Sequence, residues 1–309
     1  MDFSDVSLTA LRVLRAVAEH GTFTAAAATL GYTQSAVSRQ IAALERAAGA
    51  ELLERRREGV RLTAAGRLVM RRATAALDEI DAAARELSGL PEQAATVRLG
   101  WLPSAGAVLV PRAPAALHRT HPGIHVAGRE GGTPALARAL RAGSLDLALL
   151  TSAPPFRPPD TESPPLELQT LTEHALRPAV PADHPLARGD FTDDDDLRGQ
   201  RWTAGPASGE DKPIGVWPGL DEQPAITHTA RDRLAKPHLA TAGYGLTTAP
   251  AALTPAAPPA VRILPVPGDP QKQRHLLLAR RPQAPSEPVA RVAAALRAAA
   301  LTPDAPGAP

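Results

Sequence analysis

The sequence predicts a multi-domain α/β chain with an N-terminal winged helix-turn-helix, a long linker helix and a two-lobed α/β domain. Three observations predict it. Apolar residues recur at helical spacing in three short segments separated by Gly21, Gly31 and Gly49. A longer stretch, 63–89, repeats apolar residues in alternating steps of three and four. Past Thr96, strand-like runs alternate with helical patterns.

The bulk numbers agree with this division. A chain of 309 residues suits two or three units, and 44% hydrophobic content supplies their cores. Aromatics reach only 3%, so those cores rest on aliphatic residues, and a pocket built for large aromatic ligands is disfavoured. The net charge is +2, so any nucleic-acid contact depends on where each arginine is placed. Cysteine is absent, which excludes a disulfide framework, a thiolate zinc site and a cysteine nucleophile. The N-terminal segment is acidic and lacks a long apolar run, so a cytoplasmic location is expected. The uncharged stretch Leu239–Val261 holds four prolines and does not read as a membrane helix.

Leu8, Leu11, Val13, Leu14, Val17 and Ala18 define the first helix, which Gly21 ends. Thr22 caps a second helix, about 24–30, whose small residues Ala25–Ala28 permit close approach of a neighbour. Gly31-Tyr32-Thr33 forms a turn, and Thr33 caps a third helix over about 34–48. Val37, Ile41 and Leu44 point that helix inward, leaving Gln34, Ser35, Ser38, Arg39 and Arg46 on other faces. These are the residue types a recognition helix presents to base edges and phosphates, with Gln pairing adenine and Arg pairing guanine.

Two short extended runs then flank Glu58-Gly59, a hairpin-turn pair, and form a wing. Arg55, Arg56, Arg57 and Arg61 are spaced to touch a phosphate backbone or minor groove. Glu51, Glu54 and Glu58 offset much of that charge, so the hairpin reads equally as a solvated charged turn.

Leu11–Leu14, Gly21–Ala27, Thr33–Glu45, Leu52–Arg55 and Leu62–Gly66 together closely resemble the DNA-binding domain of LysR-type transcriptional regulators. The likeness covers nearly all of the first 66 residues. It implies a sequence-specific DNA-binding regulator with Gln34, Ser35, Ser38, Arg39 and Arg55 at the DNA, and Thr33, Arg56 and Arg57 are further candidate contacts beside them. Glu54 departs from the phenylalanine common before the wing arginine.

In the linker, Val69, Ala73, Ala76, Ile80, Ala84 and Leu87 form a coiled-coil seam that needs a partner. The resemblance implies a second copy, giving a homodimer or homotetramer; packing on the chain's own domains is the alternative. Gly89-Leu90-Pro91 ends the helix.

Val97–Trp101 reads as a strand, 106–119 as a helix, Ile124–Val126 as a strand, Thr133–Ala142 as a helix and Leu145–Leu150 as a buried strand. This order predicts a mostly parallel sheet. Leu166–Leu171, Arg201–Ala204, Ala225–Thr229 and His275–Ala279 read as further strands. Asp194–Leu197, Arg231–Ala242 and Glu287–Ala300 read as helices, with Asp193–Asp196 as a charged helix start. The chain crosses between two lobes twice, assigning 95–172 with 266–301 to one and 173–265 to the other. Such an arrangement is similar to the periplasmic-binding-protein fold that LysR-type regulators use as an effector domain. Gly143–Leu149, Asp183–Ala187 and Ala242–Gly245 carry that likeness, and Lys236, in a helix commonly apolar in the family, departs from it.

Sheets of this kind bind ligands at strand carboxyl ends. Ser104, Thr133, Thr151, Ser152, Ala207, Ser208 and Thr229 each combine a hydroxyl or N–H with such an end, which suits an anionic or polar small effector. They can equally be ordinary helix caps. His118, His121 and His125 lack shared geometry around Pro122-Gly123 and do not read as a metal site. No phosphate loop, dinucleotide fingerprint or nucleophile elbow occurs, so neither a cofactor nor an enzyme is expected. The rival reading is a small-ligand-binding protein whose N-terminal domain serves mainly oligomerisation.

Overall fold

The computed structural model describes residues 3, 6–56, 59–87, 95–152, 165–205, 213, 215–220, 223–230, 235–251, 257–267 and 273–301. The N-terminal unit opens with α1 (Leu8–His20), where the Ser7 hydroxyl accepts the Ala10 N–H at 3.1 Å. Gly21 ends it at φ 71°, and Thr22 caps α2 (Phe23–Leu30). Thr33 caps α3 (Gln34–Ala48), which ends at Gly49. Val13, Leu14, Val17, Ala26, Val37, Ile41 and Leu44 close one core between the three helices. Strands β1 (Leu53–Arg56) and β2 (Gly59–Leu62) pair antiparallel, Leu53 opposite Leu62, as the expected wing.

Two contacts fix that wing. The Glu45 carboxylate on α3 accepts the Leu52 N–H at 2.8 Å and the Leu53 N–H at 3.3 Å. The Val60 N–H donates to the Gly21 carbonyl at 2.7 Å. This second contact brings Gly59, at φ 125°, so near that an added Cβ would stand 2.4 Å from the Gly21 oxygen. Only glycine fits there.

The linker helix α4 (Ala64–Leu87) buries a different stripe from the one the periodicity selects. Met70, Ala73, Thr74 and Leu77 are buried against the chain's own domains, whereas Ala76, Ile80 and Ala84 are exposed. Ala73 therefore serves the intramolecular contact, and the outward apolar stripe runs through Leu68, Ala76, Ile80 and Ala84. A period of 3.6 cannot say which partner each side receives.

The C-terminal region contains β3 (Ala95–Trp101), α5 (Pro103–Val108), α6 (Arg112–Thr120), β4 (Ile124–Glu130), α7 (Thr133–Arg141) and β5 (Leu147–Ser152). It continues with β6 (Glu167–Pro181), β7 (Arg201–Ala204), β8 (Ala225–Thr229), α8 (Ala235–Thr241), β9 (Thr247–Pro250), β10 (Val261–Ile263), β11 (Gln273–Arg280) and α9 (Glu287–Leu301). The main sheet has the order β10-β6-β11-β5-β3-β4, with β9 also on β6. Only β3 is parallel to its neighbours β4 and β5; the pairings of β11, β6, β9 and β10 are antiparallel. The sheet is mixed, correcting the mostly parallel expectation.

Three local expectations also change. The helix expected over 106–119 is two helices, broken before Arg112 where Pro111 stands as N-cap. The expected strand Leu166–Leu171 is part of one continuous strand, β6: its first half pairs with β11, and its second half with β9 and β10. Asp193–Asp196 is a turn instead of a helix start. The Asp196 N–H donates to Asp193 Oδ1 at 2.9 Å, and Asp194 Oδ1 accepts the Trp217 indole N–H at 2.7 Å. The short acidic side chains satisfy local donors without a helix.

Alternation of buried and exposed residues is absent from the best-buried strand. Leu147, Ala148, Leu149 and Leu150 of β5 are all fully buried, because α7 covers one face and α5, α6 and α9 the other. Beyond β6 a second core forms around Trp202 and Trp217, with Leu197, Val180 and Leu264. Lys236 on α8 is 2% exposed, a buried lysine in that second unit. No helix among the described residues is long and apolar enough to cross a membrane.

Candidate nucleic-acid interface and ligand cleft

The α3 sequence segregates by burial. Val37, Ile41, Leu44 and Ala48 are buried, whereas Thr33, Gln34, Ser35, Ser38 and Arg39 are exposed. Thr33 Oγ1 accepts the Ala36 N–H at 3.2 Å and lies 3.0 Å from Ser35 Oγ. The five exposed polar residues thus share the first turns of one rigid helix. Tyr32, 47% exposed, adjoins them, and the sequence does not single it out; an aromatic in a turn carries no pattern of its own.

Arg55 and Arg56 of β1 are exposed, and Arg57 lies outside the described residues. Arg56 Nη2 is 2.7 Å from Glu54 Oε1. The glutamate that replaces an apolar wing residue therefore holds one of the wing cations within its own strand.

In the C-terminal region, strand ends meet a helix start. The Thr151 N–H, at the end of β5, donates to Thr133 Oγ1 in the first turn of α7 at 3.3 Å. Thr151 Oγ1 accepts from Arg274 Nη2 of β11 at 2.7 Å. Ser152 lies one residue beyond, half-buried. Ser104 lies in the first turn of α5 after β3, and Thr229 is an exposed residue at the end of β8. Ala207 and Ser208 lie outside the described residues. The structure therefore joins Thr133 to Thr151 directly, and gives no direct contact between that pair and Ser104 or Thr229. Arg274 is the addition: it stands in the polar run Gln271–His275, one residue before the expected strand His275–Ala279, and is not among the candidate residues that the sequence singles out.

The two regions are physically connected. Glu19 of α1 forms an ion pair with Arg129 of β4, and its carbonyl accepts Arg138 Nε of α7 at 3.1 Å. Gly143, just past α7, allows α4 to approach so closely that a Cβ there would lie 2.3 Å from Thr74 Oγ1. Arg98 of β3 donates to both Asp78 oxygens on α4 and is backed by Asp146. Burial pushes the Arg98 pKa down, but Asp146 and Asp78 outweigh it and leave the pKa raised.

Two family models match in sequence order. The bacterial regulatory helix-turn-helix model of the lysR family covers residues 8–67, and the LysR substrate binding domain model covers 91–301. The chain belongs to the LysR family.

Its architecture is that of a LysR-type transcriptional regulator: a DNA-binding domain followed by an effector-binding domain. A probable hydrogen peroxide-inducible genes activator of Mycobacterium xenopi is 33% identical over 182 residues, 59% of this chain and 93% of that protein. Other curated relatives align over 47% to 60% of their own length. Among solved structures, full-length BenM is similar with a TM-score of 0.55 at 25% identity, covering 94% of this chain and 96% of that one. Full-length CbnR in complex with its target DNA is similar in fold, with a TM-score of 0.56 at 21% identity over 95% and 99% of the two chains.

Proposed function

We propose that this LysR-family chain is a cytoplasmic, non-enzymatic regulator in which α3 reads DNA and a small effector, bound near Thr133 and Thr151, alters that reading. The observation that carries it is the exposure of Gln34, Ser35, Ser38 and Arg39 on one helix whose opposite face is locked in the domain core. Rigid presentation of bidentate donors is what base readout needs. Thr33, Arg55, Arg56 and Arg57 supply phosphate contacts beside it.

The units of this reading are 1–66 for DNA, 63–89 for dimerisation, 95–172 with 266–301 for one lobe and 173–265 for the other. The outward stripe of α4, with Leu68 52% and Ile80 44% exposed, supports pairing with a second copy in a homodimer or homotetramer. The helix α7 supports communication: its first turn holds Thr133 at the cleft, and its Arg138 touches α1. A rigid nine-residue helix moves both contacts together. The effector is not sensed by thiol oxidation, since the chain contains no cysteine to form a sulfenate or disulfide.

Selection from a random duplex library with the full chain tests the proposal. Enrichment of two half-sites spaced by whole helical turns is expected. Recovery of unenriched sequence, with the protein a stable oligomer, favours the ligand-binding reading instead.

A further inference from the structure

The cleft residues share one more property, which depends on β11. Leu276 of β11 is opposite Thr151 of β5 on one side and Thr172 of β6 on the other. Residues directly opposite in a sheet share a face, as do residues two apart on a strand. Thr151, Thr172 and Arg274 therefore lie on one face, at the carboxyl end of β5.

Arg274 is 8% exposed. Its Nη2 is bonded to Thr151, but its Nε is buried and has no hydrogen-bond partner among the described residues. Thr172 Oγ1 is buried and likewise unpartnered among them. The neighbouring carboxylate, Glu173, is exposed and follows strand alternation to the opposite face, where it lies 3.6 Å from His275. Among the described residues no carboxylate pairs with Arg274. A buried guanidinium with an idle donor, next to a buried idle hydroxyl, is costly unless a further acceptor arrives. The acceptor that satisfies both is an oxyanion, which a guanidinium receives through parallel N–H groups.

We propose that Arg274, with Thr151 and Thr172, is the anion-receiving subsite of the effector cleft, and that the effector carries a carboxylate or phosphate group. This rests on the cleft reading above and deepens it by naming the charge of the ligand and the residue that meets it. Thr151 ties the subsite to α7: its backbone N–H donates to Thr133, while its hydroxyl accepts from Arg274 and keeps its own proton to donate to an arriving anion.

Thermal unfolding of the full chain tests it, using sodium succinate and sodium phosphate as probes against sodium chloride of equal ionic strength. In the wild type, one of the two probes raises Tm saturably, by about 3–5 °C at ten times its Kd. A response to succinate assigns a carboxylate effector, and a response to phosphate assigns a phosphorylated one. Arg274→Gln abolishes the response, and Arg274→Lys, which keeps the charge but not the fork, weakens it tenfold or more. If Arg274→Gln does not fold, Thr172→Val decides: a severalfold weaker half-saturation supports the subsite, and an unchanged one overturns it. Absence of any anion-specific rise in the wild type overturns it too. A response that survives Arg274→Gln but disappears in Thr133→Val leaves the cleft standing and removes this subsite. A response that survives both places the anion elsewhere, and then the cleft reading falls as well.

Discussion

Arg98 grips Asp78 with both terminal nitrogens, at 2.9 and 3.0 Å, across the boundary between the main sheet and the linker helix. Its backbone N–H and side chain also bind Asp146, at 2.8 and 3.2 Å, and Arg281 stands 3.9 Å from the same carboxylate. A fork-to-carboxylate pair fixes direction as well as distance. The linker is thereby seated on the effector domain in one orientation.

Replacing Arg98 leaves Asp146, only 14% exposed, short of its main donor. Arg98→Met is expected to destabilise the chain by ~1–3 kcal/mol. Asp78→Asn, at a carboxylate 40% exposed, should cost ~1 kcal/mol or less because water screens it. Urea unfolding of both variants checks the ranking; equal losses would show that Asp78, not Asp146, carries the clamp.

The wing depends on Gly59. An alanine there adds a Cβ against the Gly21 carbonyl at a φ of 125°. Gly59→Ala should weaken DNA binding about tenfold while preserving the ranking of preferred sequences, because α3 is untouched. Fluorescence anisotropy on a site and its single-base variants separates the two effects.

Glu54 is expected to set how much the wing contributes to DNA binding. Glu54→Gln releases Arg56 from its ion pair, and the salt dependence of DNA affinity should steepen by about one unit. Arg55→Ala should flatten it by about one unit. A slope unmoved by either change removes the wing from the phosphate contacts.

Arg138 and Glu19 test the link between the two ends of α7. Arg138→Ala should leave DNA affinity without effector near wild type and shrink the effector-induced change by ~0.5–2 kcal/mol. Binding titrations with and without ligand measure it.

His184 gives the fold a pH dependence of known sign. Burial lowers its pKa below the ordinary 6.5, against opposing pulls from Asp183 and Gln200. As pH falls below 6.5 the unfolded chain takes up the proton first, so stability declines from there until the folded group protonates as well. Protonation also removes the Nδ1 lone pair that accepts the Leu186 N–H at 3.3 Å. His184→Asn should flatten the stability profile between about pH 7 and 5.

What the sequence reveals and what it hides follow from the range of the interactions. The cap at Thr33, the stop at Gly49 and the buried face Val37–Ile41–Leu44 depend on neighbours within a few residues, and all are legible in the sequence. The same holds for β7 and β8, whose ends coincide with the expected ones. The side of α4 that each apolar residue serves depends on where distant elements dock, as Ala73 shows. Arg274 is hidden for the same reason: its burial comes from β11 lying between β5 and β6, strands that stand far from it in the chain. Local polarity points the other way.

The exposed face of α3 is proposed to read base sequence. Footprinting of the full chain on its selected site, beside Gln34→Ala and Arg39→Ala, tests it most directly, with oligomeric state measured in parallel. Each variant is expected to lose ~1–3 kcal/mol of discrimination at one base position per half-site, to remain folded and to keep the wild-type assembly. Wild-type footprints from both variants would contradict it.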